Sequence, residues 1–107
     1  MLNKKPGRRV PVYADTIAFV KRVLVRDHEE FCVVPMDDGN FEIFVKNASQ
    51  QRIREILSDA RCERIREKNK EKTGLDIPVY TKKDLRNADK IKRLQKINRT
   101  TQYVILN

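Results

Sequence analysis

The sequence has no tryptophan, a single histidine, two cysteines and three glycines among its 107 residues. Metal centres and acid–base catalytic sites usually need several such groups, and His28 has no second histidine to join it. Cys32 and Cys62 are too far apart for the CxxC spacing of a zinc site, and two cysteines make no disulfide framework. We therefore expect no metal, no cofactor and no enzymatic activity, and we expect both cysteines to be buried free thiols.

Long apolar runs are also missing. An uninterrupted apolar stretch such as residues 17–20 ends after four residues at Lys21, whereas a membrane-spanning helix needs about 20. The N-terminus is basic, but no apolar segment of the kind found in secretory signals follows it. The sequence therefore predicts a cytoplasmic protein that does not enter a membrane.

Positive charge is the most prominent feature that is present. Lys and Arg number 24 and Asp and Glu 15, so the net charge is +9 and the pI is about 9.8, which favours a polyanionic partner. The charge is uneven: residues 81–99 carry eight basic and two acidic groups, whereas residues 14–49 carry four basic and seven acidic groups. A folded chain with this distribution is expected to present one positive surface and one slightly negative surface.

The first half of the chain predicts strands and one ambiguous segment. Residues 10–13 form a short strand at a sheet edge, because the proline within it cannot donate to a ladder. Residues 15–26 fit a helix capped by Asp15, with apolar side chains on one face, although their β-branched content favours a strand. Residues 31–36 and 41–46 form a hairpin, since Asp37-Asp38-Gly39-Asn40 between them supplies turn residues.

The second half predicts two helices that alternate with short strands. A long helix begins at Ser49 and ends at Gly74. Its apolar stripe stops at Ala60, so the outer half is expected to project into solvent or onto a partner. A strand over residues 77–80 precedes a helix from Thr81 to about Lys96, whose Thr-x-x-Asp start resembles a capping box, and residues 102–106 form a last strand.

This order of elements predicts an α+β fold in a small single domain of residues 10–107, preceded by a flexible basic arm of residues 1–9. The first six elements match the split βαβ arrangement of ferredoxin-like domains, with an added C-terminal helix and strand. The match requires that residues 15–26 be helical. If they form a strand, the first half becomes a three-stranded meander packed against the long helix.

The strongest candidate for function is the helix from Thr81. At 100° per residue its apolar residues share one side, and the opposite side is cationic and suited to a phosphate backbone. The residues of this cationic arc are Lys82, Lys83, Arg86, Lys90 and Arg93. The alternative is a solvated surface, the commoner role of charge runs.

Further candidate contacts come from the outer half of the long helix and from the N-terminal arm. The helix carries one cationic ladder (Arg61, Arg64, Lys68 and Lys72) beside one acidic ladder (Glu63, Glu67 and Glu71). The alternative is a solvated helix that pairs its own charges, for example Glu63 with Arg66 and Glu67 with Lys70. The arm supplies Lys4, Lys5, Arg8 and Arg9, which would add affinity without sequence preference.

A repeated four-residue segment, one charged connection and the strand edges lead to three further predictions. Residues 10–13 (Val-Pro-Val-Tyr) are echoed by residues 77–80 (Ile-Pro-Val-Tyr), so Tyr13 and Tyr80 are expected in similar places, either stacking on a base or packing locally. Asp27-His28-Glu29-Glu30 is interpreted as a solvated connection. The prolines in the edge strands discourage pairing with a second chain, but they do not exclude a homodimer.

The sequence thus predicts a small, non-enzymatic regulatory or accessory protein that binds nucleic acid by electrostatic contacts. Nothing in the sequence favours DNA over RNA. The first alternative is a protein-interaction module or regulatory subunit whose basic surface docks on an acidic partner. The second is a metal-independent ribonuclease that would use Tyr80, Tyr103, Arg86 and Arg99.

Overall fold

The computed structural model describes residues 8–98 and 102–106. Along the chain the elements are β1 (Arg8–Val12), α1 (Ile17–Arg26), β2 (Phe31–Pro35), β3 (Phe41–Val45), α2 (Gln50–Thr73), β4 (Val79–Thr81), α3 (Lys82–Leu85), α4 (Ala88–Asn98) and β5 (Val104–Leu106). The predicted α+β class is confirmed. The contacts divide the chain into two compact units, unit 1 (Met1–Ala60) and unit 2 (Arg61–Asn107), and α2 contributes residues to both.

Unit 1 contains a three-stranded antiparallel sheet in the order β1-β3-β2. Its β2–β3 hairpin is confirmed: Gly39 adopts the positive φ of 87° that glycine tolerates, and the Met36 N–H donates to the Asn40 carbonyl at 2.8 Å. Because β1 and β2 both run antiparallel to β3, they point in the same direction, and α1 lies between them in the chain.

The ambiguous segment of residues 15–26 is helical from Ile17 onward. Its helical stripe, Ile17, Val20, Val23 and Leu24, is buried, so the packing of one face outweighs the strand preference of the valines. The predicted cap is wrong, because Thr16 and not Asp15 occupies the N-cap position and makes no side-chain capping bond. Against this stripe pack Val12, Ile43 and Val45 of the sheet and Ile53, Ile56 and Ala60 of α2.

Both predicted ends of the long helix are confirmed. The Ser49 hydroxyl accepts a hydrogen bond from the Arg52 N–H at 3.0 Å, which satisfies one of the free donors of the first turn. At the other end Gly74 has a φ of 76°, and its N–H donates to the Lys70 carbonyl. Beyond Ala60 the helix is less exposed than predicted, because Cys62 is buried and residues 63–67 are half-buried.

The ferredoxin-like arrangement is not confirmed. That fold needs a fourth strand in the first sheet, whereas β4 pairs in parallel with β5 in a separate two-stranded sheet. The prediction of two buried thiols is wrong for Cys32, which is exposed. Successive side chains of a strand point to opposite faces of the sheet, and Phe31 and Val33 of β2 pack on the core. Cys32 between them, opposite Phe44 of β3, therefore lies on the other face.

The single helix predicted from Thr81 to about Lys96 is instead two helices. The turn α3 ends at Leu85, and α4 begins at Ala88. Between them the Asn87 side-chain oxygen accepts a hydrogen bond from the Lys90 N–H at 3.1 Å and so starts the second helix. The helical rotation of 100° per residue is therefore interrupted at residues 86 and 87. The prediction that one helix presents all five cations on a single arc is wrong.

Candidate nucleic-acid interface

The two units differ sharply in charge. Unit 1 has ten Lys and Arg against nine Asp and Glu, whereas unit 2 has fourteen against six. Nearly all of the net charge of +9 therefore belongs to unit 2. A basic side chain can contact a partner only if it faces solvent and is not held by a carboxylate of the same chain.

In α3 and the residues that follow it, the predicted cations Lys82, Lys83 and Arg86 are exposed. Arg93 is also exposed, as are the neighbouring cations Lys92 and Lys96, which the single-arc geometry had left out. The interruption at Asn87 separates Lys82, Lys83 and Arg86 from the cations of α4. They are available to solvent, but they do not form one continuous row.

Lys90 is placed differently from the other predicted cations. Its Nζ lies 2.7 Å from the Asp84 Oδ1, and the two side chains are only 10% and 9% exposed. Asp84 also completes a capping box: its carboxylate accepts the Thr81 N–H at 2.9 Å, and its own N–H donates to the Thr81 hydroxyl. Lys90 therefore connects α4 to the start of α3.

The charge of Asp84 is stabilised by these contacts. Burial raises the pKa of this carboxyl, but the hydrogen bonds from Lys90 and Thr81 outweigh that effect and hold the pKa below its usual range. The predicted Thr-x-x-Asp signal is thus confirmed as a capping box, and the same aspartate also anchors Lys90.

The second half of α2 offers a mixed surface. Of its predicted cations, Arg61, Lys68 and Lys72 are exposed and Arg64 is half-buried. Arg66 lies 3.6 Å from Glu63, as the self-paired alternative predicts, and it also donates from Nε and Nη2 to the two oxygens of Asp76. The hydrogen bond from Arg66 lowers the pKa of Asp76 despite the opposing effect of burial. Arg66 therefore pairs with carboxylates inside unit 2, whereas the predicted ladder residues Arg61, Lys68 and Lys72 face solvent.

The described part of the N-terminal arm belongs to a strand. Arg8 and Arg9 open β1, opposite Val45 and Phe44. The Arg9 side chain is 68% exposed, with its guanidinium 5.0 Å from the centre of the Phe44 ring and 3.8 Å from the Glu42 carboxylate. Lys4 and Lys5 lie outside the described residues, as does the Arg8 side chain, so their predicted contacts remain predictions.

The tyrosines do not occupy similar places, so that prediction is wrong. Tyr13 follows β1 and is 73% exposed, whereas Tyr80 lies within β4 and is 3% exposed. The Tyr80 ring instead packs against Tyr103, with 5.5 Å between the ring centroids and an angle of 46°. Of the four residues named for a ribonuclease, Tyr80 is buried, Tyr103 and Arg86 are exposed, and Arg99 lies outside the described residues.

Sequence reasoning missed an ion-pair network in unit 1. The Asp27 side chain is 4% exposed and accepts hydrogen bonds from both Arg26 and Arg52. Arg26 also reaches the buried Asp59 at 2.8 Å, and Arg52 reaches Glu29 at 3.0 Å. The interpretation of Asp27 as part of a solvated connection is therefore wrong.

The network also shifts the pKa values of Asp27 and Arg52. Burial raises the pKa of Asp27, but the hydrogen bonds and charges of Arg26 and Arg52 outweigh it, so the pKa lies below its usual range. Burial lowers the pKa of Arg52, and the contacts with Asp27 and Glu29 more than reverse that effect. The sequence signal for this network was a set of charged residues in and around α1 and α2, and such residues normally face solvent.

Across residues 8–98 and 102–106, no group of three or more His, Cys, Asp or Glu side chains is arranged to hold a metal ion. Within the same residues, no helix combines the length and the apolar character that crossing a membrane requires. Comparison of the chain with protein-family models, with curated proteins and with solved structures finds no match.

Proposed function

We propose that this protein binds nucleic acid without catalysis, through the exposed cations of unit 2 and mainly by contacts with phosphates. One observation supports the proposal most directly. Among the described residues, unit 2 exposes ten basic side chains against three acidic ones, and one of those three, Asp76, is held by Arg66. Unit 1 exposes five basic against four acidic side chains.

The mode of binding follows from the type of contact. Each phosphate that a lysine or arginine neutralises releases a counterion and adds roughly 0.7 to 0.9 to the slope of log affinity against log salt. Such contacts position a protein on the backbone but do not distinguish bases. The proposed activity is therefore strongly salt-dependent and weakly sequence-dependent.

Fluorescence anisotropy with labelled duplex DNA, single-stranded DNA and RNA, titrated from about 50 to 300 mM salt, tests the proposal. The test variant carries Lys82→Glu, Lys83→Glu and Arg86→Glu, three exposed positions in unit 2. The matched control carries Lys21→Glu, Lys46→Glu and Arg54→Glu, three exposed positions in unit 1. Both variants change the net charge equally, so a difference between them reports the location of the site.

The expected result is tight binding at low salt with a steep slope, which the unit 2 variant weakens and flattens far more than the control does. The preferred ligand then identifies the class of nucleic acid. Equal losses in both variants would assign the binding to overall charge and contradict a site on unit 2. Absence of binding at low salt would overturn the proposal and favour the alternative of an acidic protein partner.

A further inference from the structure

The β4–β5 sheet is unusually small. Each strand has three residues, the strands are parallel, and no third strand in the described part of the chain joins them. Two-stranded sheets are marginally stable on their own, and parallel sheets are normally larger and covered on both faces. β4 is buried at Val79 and Tyr80, so the side of the sheet open to extension is β5.

The backbone of β5 has a defined free edge. The Val104 N–H donates to the Pro78 carbonyl at 2.8 Å, so the polar groups of Val104 point toward β4. In a strand, successive residues direct their N–H and C=O groups to opposite sides. The amide groups of Tyr103 and Ile105 therefore point away from β4, toward the side where no described strand lies.

The residues of this edge differ from those of the other edge strands. In the first sheet both edge strands contain a proline, Pro11 in β1 and Pro35 in β2, which discourages pairing with another chain. Residues 102–106 contain neither a proline nor a charged residue. Tyr103, Val104 and Ile105 are 42%, 38% and 39% exposed, so three successive large apolar or aromatic side chains face solvent.

We propose that β5 pairs with β5 of a second copy of this chain, antiparallel about a twofold axis, to make a four-stranded sheet β4-β5-β5-β4. In this arrangement Ile105 lies opposite the Ile105 of the partner subunit, and the two residues exchange their outward N–H and C=O groups. A twofold contact of this kind uses the same surface on both subunits and closes as a dimer.

Charge favours a second copy over an acidic partner. Two chains of net charge +9 repel each other wherever their cations approach, but residues 102–106 carry no charge at all. An acidic partner would instead be attracted to the exposed lysines and arginines of α3 and α4 and would gain no ion pair at β5. This inference does not depend on nucleic-acid binding, and its test contains no nucleic acid.

Sedimentation velocity over a wide range of protein concentration tests the pairing. The full chain is compared with Ile105→Lys, which puts a cation at the centre of the edge, and with Ile105→Pro, which removes an outward N–H that β4 does not use. Leu75→Lys is the matched control, because Leu75 is also an apolar residue of unit 2 and is 60% exposed. Circular dichroism verifies that each variant is folded.

The expected result is a dimer for the full chain and for Leu75→Lys, and a monomer for both Ile105 variants. A full chain that stays monomeric at the highest concentration would overturn the proposal, and so would folded Ile105 variants that remain dimeric. If the Ile105 variants do not fold, hydrogen exchange of the wild-type chain decides. Slower exchange at the Tyr103 and Ile105 amides as protein concentration rises supports the β5 contact, and exchange independent of concentration contradicts it.

Discussion

Units 1 and 2 differ in how they are stabilised as well as in their charge. The connected hydrophobic core, ten buried residues from Val12 to Ala60, belongs entirely to unit 1. Unit 2 buries few large apolar side chains, among them Val79, Tyr80 and Leu94. Much of its described local structure depends on polar contacts, such as the capping box of Thr81 and the Lys90–Asp84 ion pair.

The same difference governs what arginine and lysine do in each unit. In unit 1, Arg26 and Arg52 are directed at the enclosed carboxylates of Asp27 and Asp59, so they contribute to the fold. In unit 2 most basic side chains face solvent and few carboxylates balance them. The net charge of a sequence therefore indicates a class of partner only after the charges that neutralise each other internally have been identified.

The largest expected effect tests whether unit 1 is the better packed unit. Ile56 is fully buried in the core of unit 1, so Ile56→Ala is expected to lower the free energy of unfolding by about 2–5 kcal/mol. Leu94 in unit 2 is 6% exposed and lies outside the connected core, so Leu94→Ala is expected to cost less. Urea unfolding of the two variants measures the difference, and a larger cost for Leu94→Ala would reverse the comparison.

A smaller effect distinguishes the enclosed ion pairs of Asp27 in unit 1 from the more exposed Arg66–Asp76 pair in unit 2. The pKa of Asp27 is lowered by folding, so its contribution is complete above the unfolded-state pKa of about 3.9 and is lost as the pH falls through the lower folded-state pKa. Asp27→Asn is expected to cost about 1–3 kcal/mol at neutral pH, because Arg26 and Arg52 lose a charged acceptor. It should also reduce the acid sensitivity of unfolding.

Urea unfolding from neutral pH down to strongly acidic pH measures both effects. Asp76→Asn provides the comparison, since the Asp76 side chain is 44% exposed and its pair with Arg66 is largely in contact with water. Equal losses for the two variants, or an unchanged acid profile for Asp27→Asn, would contradict the distinction between the enclosed Asp27 pairs and the exposed Asp76 pair.

The smallest expected effect concerns the helix starts of unit 2. Thr81→Ala removes the hydroxyl that accepts the Asp84 N–H, and Asn87→Ala removes the oxygen that accepts the Lys90 N–H. Each loss is expected to cost roughly 1 kcal/mol, the usual contribution of an N-cap side chain. Thermal unfolding followed by helix circular dichroism checks this value against Lys83→Ala, an exposed helical position expected to have little effect. No loss at Thr81 would show that α3 is held by other contacts.

Local sequence signals predicted much of the fold. The Asp38-Gly39 turn, the Ser49 start and the Gly74 end of α2 depend on the conformations of single residues, and all three are found in the structure. The capping box at Thr81 was also visible, because its two partners lie three residues apart. The pairing of β4 with β5 was not, because it joins residues 25 positions apart through contacts that no local pattern encodes.

The candidate interface was predicted less completely. Exposed cations such as Lys82 and Lys83 were identified from charge alone, but Lys90 was misplaced, because its ion pair with Asp84 depends on the interruption at Asn87. Asparagine is tolerated within helices, so periodicity gave no reason to end a helix there. The Arg26–Asp27–Arg52 network was missed for a similar reason, since Asp27 and Arg52 come together only when α1 and α2 pack in unit 1.

The two thiols give each unit its own reporter. Cys32 is exposed on the sheet of unit 1, whereas Cys62 is 5% exposed in unit 2. A thiol-specific reagent will modify Cys32 at the rate of an open site, but it will reach Cys62 only when that part of the chain opens. The rate of the second modification therefore measures how often the chain around Cys62 opens under native conditions, without any substitution.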